Sequence, residues 1–194
     1  MGDHFCVACN ACCDGSMFDR VTITPADLAR MPDHRAVERD EAEGYAFFKQ
    51  SCAHLGADGR CGCYADRPTR CRSYDCLLSQ RVLAGGTTHA DAHAVVAEMK
   101  RLRADFVAAC RAHVPDRFWP KAEYGARGAF CAMRDAFDAG VGFPTSVRDA
   151  LFTRWFAYLD VVRNHFDEGF ADKSAVAARY AAQRELRALE DAAG

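Results

Sequence analysis

Four cysteines near the start of the chain follow a spacing that is typical of metal sites. They lie in the segment Cys6 to Cys13, where two residues separate each member of the triplet Cys6, Cys9 and Cys12 from the next. Two intervening residues let a tight turn direct both sulfurs at one ion, and bacterial ferredoxins use the same triplet. Thiolates are soft anionic donors that suit zinc, copper(I) and iron–sulfur clusters. The segment therefore predicts metal binding.

Five further cysteines extend this cluster, so that nine of the eleven lie in the first 76 residues: Cys52, Cys61, Cys63, Cys71 and Cys76 complete the set. The first residues lack the basic and apolar segments of a secretory leader, and no apolar stretch of about 18 residues could span a membrane. We therefore expect a cytoplasmic protein. In a reducing compartment, closely spaced thiols are more often metal ligands or redox groups than disulfides.

The donor set is large enough for two centres. Cys12 and Cys13 are adjacent, and adjacent side chains diverge in a helical or extended backbone. The pair therefore fits two neighbouring centres, or one donor and one bridge, better than one shared ion. The predicted ligands are Cys6, Cys9, Cys12, Cys13, Cys52, Cys61, Cys71 and Cys76. Eight thiolates suffice for about two tetrahedral zinc ions, and iron or an iron–sulfur cluster is the alternative cofactor.

These motifs together resemble a known family. They are CxxCxxCC from Cys6 to Cys13, Cys52, Asp58-Gly59-Arg60-Cys61 with Tyr64, Arg67-Pro68-Thr69-Arg70-Cys71-Arg72, and Cys76. The pattern is similar to the bacterial CxxCxxCC cysteine-cluster family, whose domain is described as zinc- or iron-chelating, and it covers roughly residues 4 to 78. The resemblance implies a metal-binding domain. This chain has Cys63 where the family usually has an aliphatic residue before the tyrosine, so Cys63 is either a ninth donor or a small buried hydrophobe.

Histidines offer weaker candidates for metal ligands. His54 follows Cys52 by two residues and could replace a thiolate in a site of three sulfurs and one imidazole, and His4 is a similar candidate. His89 and His93 stand four apart at the start of a predicted helix, where a solvated first turn explains them equally well. No GxSxG, Walker or HExxH motif occurs, so we predict no catalytic residues.

Charge argues against nucleic acid and membranes as partners. The chain of 194 residues has a formal net charge of −2, which provides no general attraction for anionic polymers or lipids. Basic residues cluster locally at Arg60, Arg67, Arg70 and Arg72, among the cysteines. Guanidinium groups there would offset the negative charge of metal-bound thiolates. An unknown protein partner is the remaining possibility.

The first 80 residues predict a small irregular α+β module. Val21 to Ile23 and Tyr45 to Lys49 have strand composition, and Thr24, Pro25 and Asp27 predict a helix start. The charged stretch from 33 to 44 reads as a loop. A turn over residues 57–60 predicts a hairpin that brings Cys52 close to Cys61, and a short helix over 69–78 would carry Cys71 and Cys76.

Residues 81–194 predict a helical bundle, which makes the fold mainly α and gives two parts that form one compact unit. Apolar spacing predicts one helix over about 88–113, a shorter one that ends at Gly140, and a last one over about 173–192. A capping box of Ser146 and Asp149 predicts the start of a further helix between the last two. The strongest apolar face carries Leu151, Trp155, Leu159, Val162 and Phe166. Cys110 and Cys131 lie on such faces, so we predict that they belong to the core.

Three functions are compatible with these observations. The first is a structural or metal-handling protein with closed four-thiolate zinc sites. The second is an iron–sulfur protein in redox chemistry or sensing. The third is a metal-dependent enzyme of unknown substrate, whose open coordination position would be completed by groups such as Tyr124 or Trp155.

Overall fold

Seven α-helices and a three-stranded sheet make up the part of the chain that the computed structural model describes, residues 5–31, 37–40, 45–119 and 125–166. The helices are α1 Phe5–Cys9, α2 Pro25–Arg30, α3 Thr69–Ser73, α4 Leu77–Leu83, α5 His89–His113, α6 Ala126–Asp138 and α7 Thr145–His165, and Asp116–Phe118 form a 3-10 turn. The strands are β1 Arg20–Ile23, β2 Val37–Asp40 and β3 Tyr45–Lys49. The predicted fold class, mainly α with a small α+β region, is confirmed.

The sheet is antiparallel, with β3 between β1 and β2. Phe48 of β3 pairs with Val21 on one side and with Val37 on the other. The prediction of a loop over 33–44 is wrong at β2, while the rest of that stretch lies outside the described residues. The charged sequence of β2 predicted a loop, because an edge strand tolerates charges on its exposed side and so lacks the apolar pattern of a buried strand. Glu38 forms an ion pair with Lys49 of β3, with 2.8 Å between Oε2 and Nζ.

Helix α2 begins as the sequence predicts. The Thr24 hydroxyl accepts a hydrogen bond from the backbone N–H of Asp27, and the Asp27 carboxylate accepts one from the backbone N–H of Thr24. The same carboxylate also accepts hydrogen bonds from the backbone N–H and the hydroxyl of Thr69, at 2.8 and 2.7 Å. Asp27 therefore ties α2 to the first turn of α3, the helix that carries Cys71.

The long helices enclose the larger core. Helix α5 packs against α6 and α7, and Trp155 of α7 stacks on Phe130 of α6 with ring centroids 4.5 Å apart. All five residues of the predicted α7 stripe are buried. The predicted capping box of Ser146 and Asp149 is wrong: the helix begins at Thr145 after Pro144, and no side chain caps it. The backbone of Pro144, fixed by its ring, starts the helix instead. The helix predicted over 173–192 lies outside the described residues.

The buried apolar residues form two separate cores. One contains the faces of α5, α6 and α7 together with Phe5, Cys9 and Cys76 from the cysteine-rich half. The other lies against the sheet and contains Val21, Ile23, Met31, Ala46, Phe48 and Cys52. The cysteine-rich segment therefore contributes to both cores. The boundary predicted near residue 80 stays a prediction.

Candidate metal centre

The CxxCxxCC segment forms a short helix followed by a sharp reversal. Helix α1 carries Cys6 and Cys9 and ends at Asn10, whose φ of 46° is left-handed. Asparagine tolerates this conformation better than most residues. The carbonyl of Asn10 then accepts hydrogen bonds from the backbone N–H groups of Cys13 and Asp14, at 2.7 and 3.0 Å. This turn sets Cys12 and Cys13 on different sides of the segment.

Cys12 faces the helical core, and Cys6, Cys9 and Cys76 lie near it. Burial raises the pKa of Cys12, and the charges of these three cysteines and of the adjacent Cys13 add to the effect. Cys76 likewise acts on Cys9, whose pKa burial raises to about 11. We call Cys6, Cys9, Cys12 and Cys76 the first cysteine group.

Backbone amides are directed at two sulfurs of the first cysteine group. The N–H groups of Leu78 and Ser79 donate to the Cys76 sulfur, at 3.4 Å for Ser79. The N–H of Ala11 donates to the Cys9 sulfur, which lowers its pKa against the larger effect of burial. Such hydrogen bonds favour the thiolate over the thiol. Both sulfurs are therefore in surroundings that partly compensate a negative charge, as metal binding requires.

Cys13 faces the sheet core and belongs to a second set of cysteines. Burial raises its pKa to about 12, and the charges of Cys52, Cys61 and Cys71 add to the effect. Cys52 and Cys61 in turn act on Cys71, whose pKa burial raises to about 11. We call Cys13, Cys52, Cys61 and Cys71 the second cysteine group.

Short backbone links hold the second cysteine group together. The N–H of Cys52 donates to the carbonyl of Cys13 at 2.7 Å. The predicted hairpin over 52–64 is reduced to a single antiparallel bridge between Leu55 and Cys61, because its turn at Gly59, with φ of 77°, leads into further turns and not into a strand. The predicted proximity of Cys52 and Cys61 is nevertheless confirmed, since the charge of Cys61 acts on Cys52.

The helix predicted over 69–78 is interrupted, and the interruption matters for the site. Helix α3 carries Cys71 and ends at Ser73, and Cys76 is the N-cap residue of α4. The extended backbone between them lets Cys71 join the second cysteine group while Cys76 joins the first. In a continuous helix, Cys71 and Cys76 would lie five residues apart on one axis, which is about 7.5 Å at a rise of 1.5 Å per residue.

Lys100 was not predicted, although it secures the CxxCxxCC turn. Its ammonium group donates to the carbonyl of Cys9 at 3.0 Å and to the side-chain oxygen of Asn10, and it forms an ion pair with Asp14 at 2.7 Å. Its charge also lowers the pKa of Cys9, against the larger effect of burial. No local signal marks Lys100, because it lies on α5, more than 85 residues after the turn.

The predicted charge compensation by arginines is supported at one residue. Arg67 stacks over the Tyr64 ring, with its guanidinium carbon 3.8 Å from the ring centroid. Its charge lowers the pKa of Cys71, although burial and the neighbouring thiols raise it more. Arg60, Arg70 and Arg72 are exposed.

The weaker candidates have other surroundings. His54 lies against Phe48, with ring centroids 6.0 Å apart, and His93 lies against Phe5 at 5.1 Å. His89 contacts the edge of the same Phe5 ring. His4 lies outside the described residues. These contacts fit packing of the imidazole rings.

Three further candidates lie in the helical half. Cys110 is fully buried, as predicted for a core residue, and Cys131 is partly buried. Trp155 is buried between Phe106 and Phe130. Tyr124 lies outside the described residues.

Within each cysteine group the sulfurs lie near one another, but they do not form a complete coordination site. Within the described ranges, no three side chains of His, Cys, Asp or Glu converge closely enough to hold an ion as they stand. All eleven cysteines lie in the described part of the chain and are free thiols. The donor chemistry fits zinc or iron, which thiolates bind four at a time.

Comparison with known families supports metal binding by this segment. Residues 5–99 match the model of the CxxCxxCC family, described as a putative zinc- or iron-chelating domain. The resemblance is confirmed. The matched segment runs from α1 to the first eleven residues of α5 and contains both cysteine groups. No significant match was found among curated proteins or among solved structures. Among the described helices, none combines the length and apolar composition needed to cross a membrane.

Proposed function

We propose that this protein binds about two zinc ions, one in each cysteine group, and that it serves a structural or metal-handling role. The observation that carries the proposal is that the adjacent residues Cys12 and Cys13 pack against different cores, with Cys6, Cys9 and Cys76 near Cys12 and Cys52, Cys61 and Cys71 near Cys13. Four thiolates complete a tetrahedral zinc site without any other donor.

The surroundings of the sulfurs support a bound cation in each group. Amide N–H groups point at the sulfurs of Cys9, Cys76 and Cys52. Burial raises the pKa of most of these thiols, so that without a cation they stay protonated at neutral pH. A zinc ion supplies the positive charge that makes four close thiolates favourable, and its binding releases their protons. Ion binding would then draw each set of sulfurs together.

Elemental analysis and an absorption spectrum of protein purified without oxygen test this proposal. We expect about two zinc ions per chain and no visible absorption band. Iron with acid-labile sulfide and a broad band near about 400 nm would instead establish an iron–sulfur protein. A preparation that contains neither metal and binds neither on reconstitution would contradict the proposal.

A further inference from the structure

Cys63 lies beside the second cysteine group although the family pattern does not require a cysteine there. It is buried, at 6% exposure, and its sulfur is 3.7 Å from the sulfur of Cys61. A disulfide would require about 2.05 Å. Two sulfurs on one tetrahedral zinc ion, each about 2.3 Å from the metal, lie about 3.8 Å apart. Cys61 and Cys63 therefore already have the separation of two ligands of a single ion.

The other neighbours of Cys63 come from the same group. Besides Cys61, the charges of Cys52 and Cys71 act on Cys63, and they add to burial, the larger cause, in raising its pKa to about 12. Cys63 is therefore a fifth cysteine beside the second cysteine group, whose member Cys13 also lies near Cys52, Cys61 and Cys71. A tetrahedral zinc ion uses four.

The backbone fixes Cys63 in this position. The N–H of Gly62 donates to the carbonyl of His54 at 2.7 Å, and the carbonyl of Cys63 accepts a hydrogen bond from Asp66 at 3.0 Å. Cys61, the other cysteine of the contact, is held by its β-bridge to Leu55. The Cys61–Cys63 contact thus belongs to a turn secured on both sides.

We propose that Cys63 is a fifth sulfur donor of the second cysteine group, which takes over a ligand position while the metal ion is exchanged. This inference rests on the proposed function and adds a route for metal transfer. In the exchange, a metal–sulfur bond to Cys63 forms as the bond to another cysteine of the group breaks. The proton lost by the Cys63 thiol passes to the released thiolate, so that the charge of the centre is unchanged. The ion would keep four sulfur ligands throughout this exchange, and the released cysteine would be a protonated thiol.

The test compares the zinc-loaded wild type with Cys63→Ala, and Cys110→Ala is the matched control. Cys110 is a buried cysteine remote from both groups in sequence and packed among the long helices. The measurements are zinc content and the rate at which a colorimetric chelator removes zinc. We expect Cys63→Ala to keep the wild-type zinc content and to release one ion severalfold more slowly, while Cys110→Ala behaves as wild type. Should the alanine variant not fold, Cys63→Val keeps a buried apolar side chain without a sulfur and gives the same comparison.

Two outcomes would overturn this inference. Equal release rates in Cys63→Ala and wild type would make Cys63 a core residue, and loss of about one zinc ion from the variant would make it one of the four resident ligands. A wild type that binds no zinc would instead remove the proposed function itself, so the two failures are distinguishable.

Discussion

The two cysteine groups differ in the kind of structure that holds them. The first draws on α1 and the start of α4, and Lys100 of α5 secures its turn. The second is held by turns, one bridge and the five-residue helix α3, beside the small core against the sheet. A site built into the larger core shares that core's stability, whereas a site on short segments opens at lower cost. We therefore expect the first centre to be structural and the second to exchange its ion.

Removing a donor from the first cysteine group should have the largest effect. Cys9→Ser leaves three thiolates and places a hydroxyl in the helical core, where Cys9 is buried. Because metal binding is coupled to folding, we expect soluble yield to fall together with the loss of about one ion per chain. Metal analysis of the soluble fraction measures this. Cys110→Ser is the control, and loss of metal from it would contradict the assignment of Cys110 to the core.

The matching change in the second cysteine group should be milder. Cys71→Ser combined with Cys63→Ala should also lose about one ion per chain, since three thiolates remain and the fifth sulfur is absent. The long helices do not depend on α3, so we expect the helical circular dichroism signal and its melting temperature to stay near those of wild type. Melting as low as that of Cys9→Ser would contradict the difference between the centres.

One polar residue stabilises the segments that carry each cysteine group. For the second group this residue is Asp27. Its carboxylate is fully buried and accepts hydrogen bonds from Thr24 and Thr69. Burial alone would raise the pKa of Asp27, but these hydrogen bonds hold it well below its usual range. We expect Asp27→Asn to lower the free energy of unfolding by about 2 kcal/mol at neutral pH, as for a buried, charge-assisted hydrogen bond.

The pH dependence of Asp27→Asn gives a second readout. A carboxylate with a depressed pKa contributes stability above the unfolded-state pKa of about 4, and this contribution is lost as pH falls below it. The free energies of unfolding of wild type and variant, measured in urea, should therefore differ by a constant amount from pH 7 down to about pH 4 and converge as the pH falls further. A difference that stays constant below about pH 4 would contradict the role of the charge.

Lys100 secures the first group, and its effect should be the smallest. Lys100→Met keeps the aliphatic length but removes the bonds to the Cys9 carbonyl, Asn10 and Asp14. We expect a loss of about 1 kcal/mol in the free energy of unfolding, because the ammonium group is partly solvated. The matched control is Arg101→Met. Arg101 forms an exposed ion pair with Glu98 on the same helix, and removing this pair should leave the free energy of unfolding unchanged. Equal effects of the two changes would contradict a role for Lys100 in the turn.

Much of this arrangement could be predicted from local sequence. The cap of α2, the strands β1 and β3, the α7 stripe and the divergence of Cys12 from Cys13 all depend on residues within a few positions of one another. The break between α3 and α4 and the contacts of Lys100 and Asp27 depend on partners far along the chain, whereas β2 pairs with the nearby β3 but has a charged sequence that does not predict a strand. The assignment of individual cysteines as metal ligands stays a prediction.

Cadmium substitution followed by cadmium NMR tests the central claim most directly, because it reports each centre separately. Two isolated four-thiolate centres predict two resonances without cadmium–cadmium coupling, and Cys71→Ser combined with Cys63→Ala should lose one and keep the other. A coupled pair of resonances would mean that a sulfur such as Cys12 or Cys13 bridges two ions in one cluster, and a single resonance would mean one centre. Either result would contradict the division into two groups.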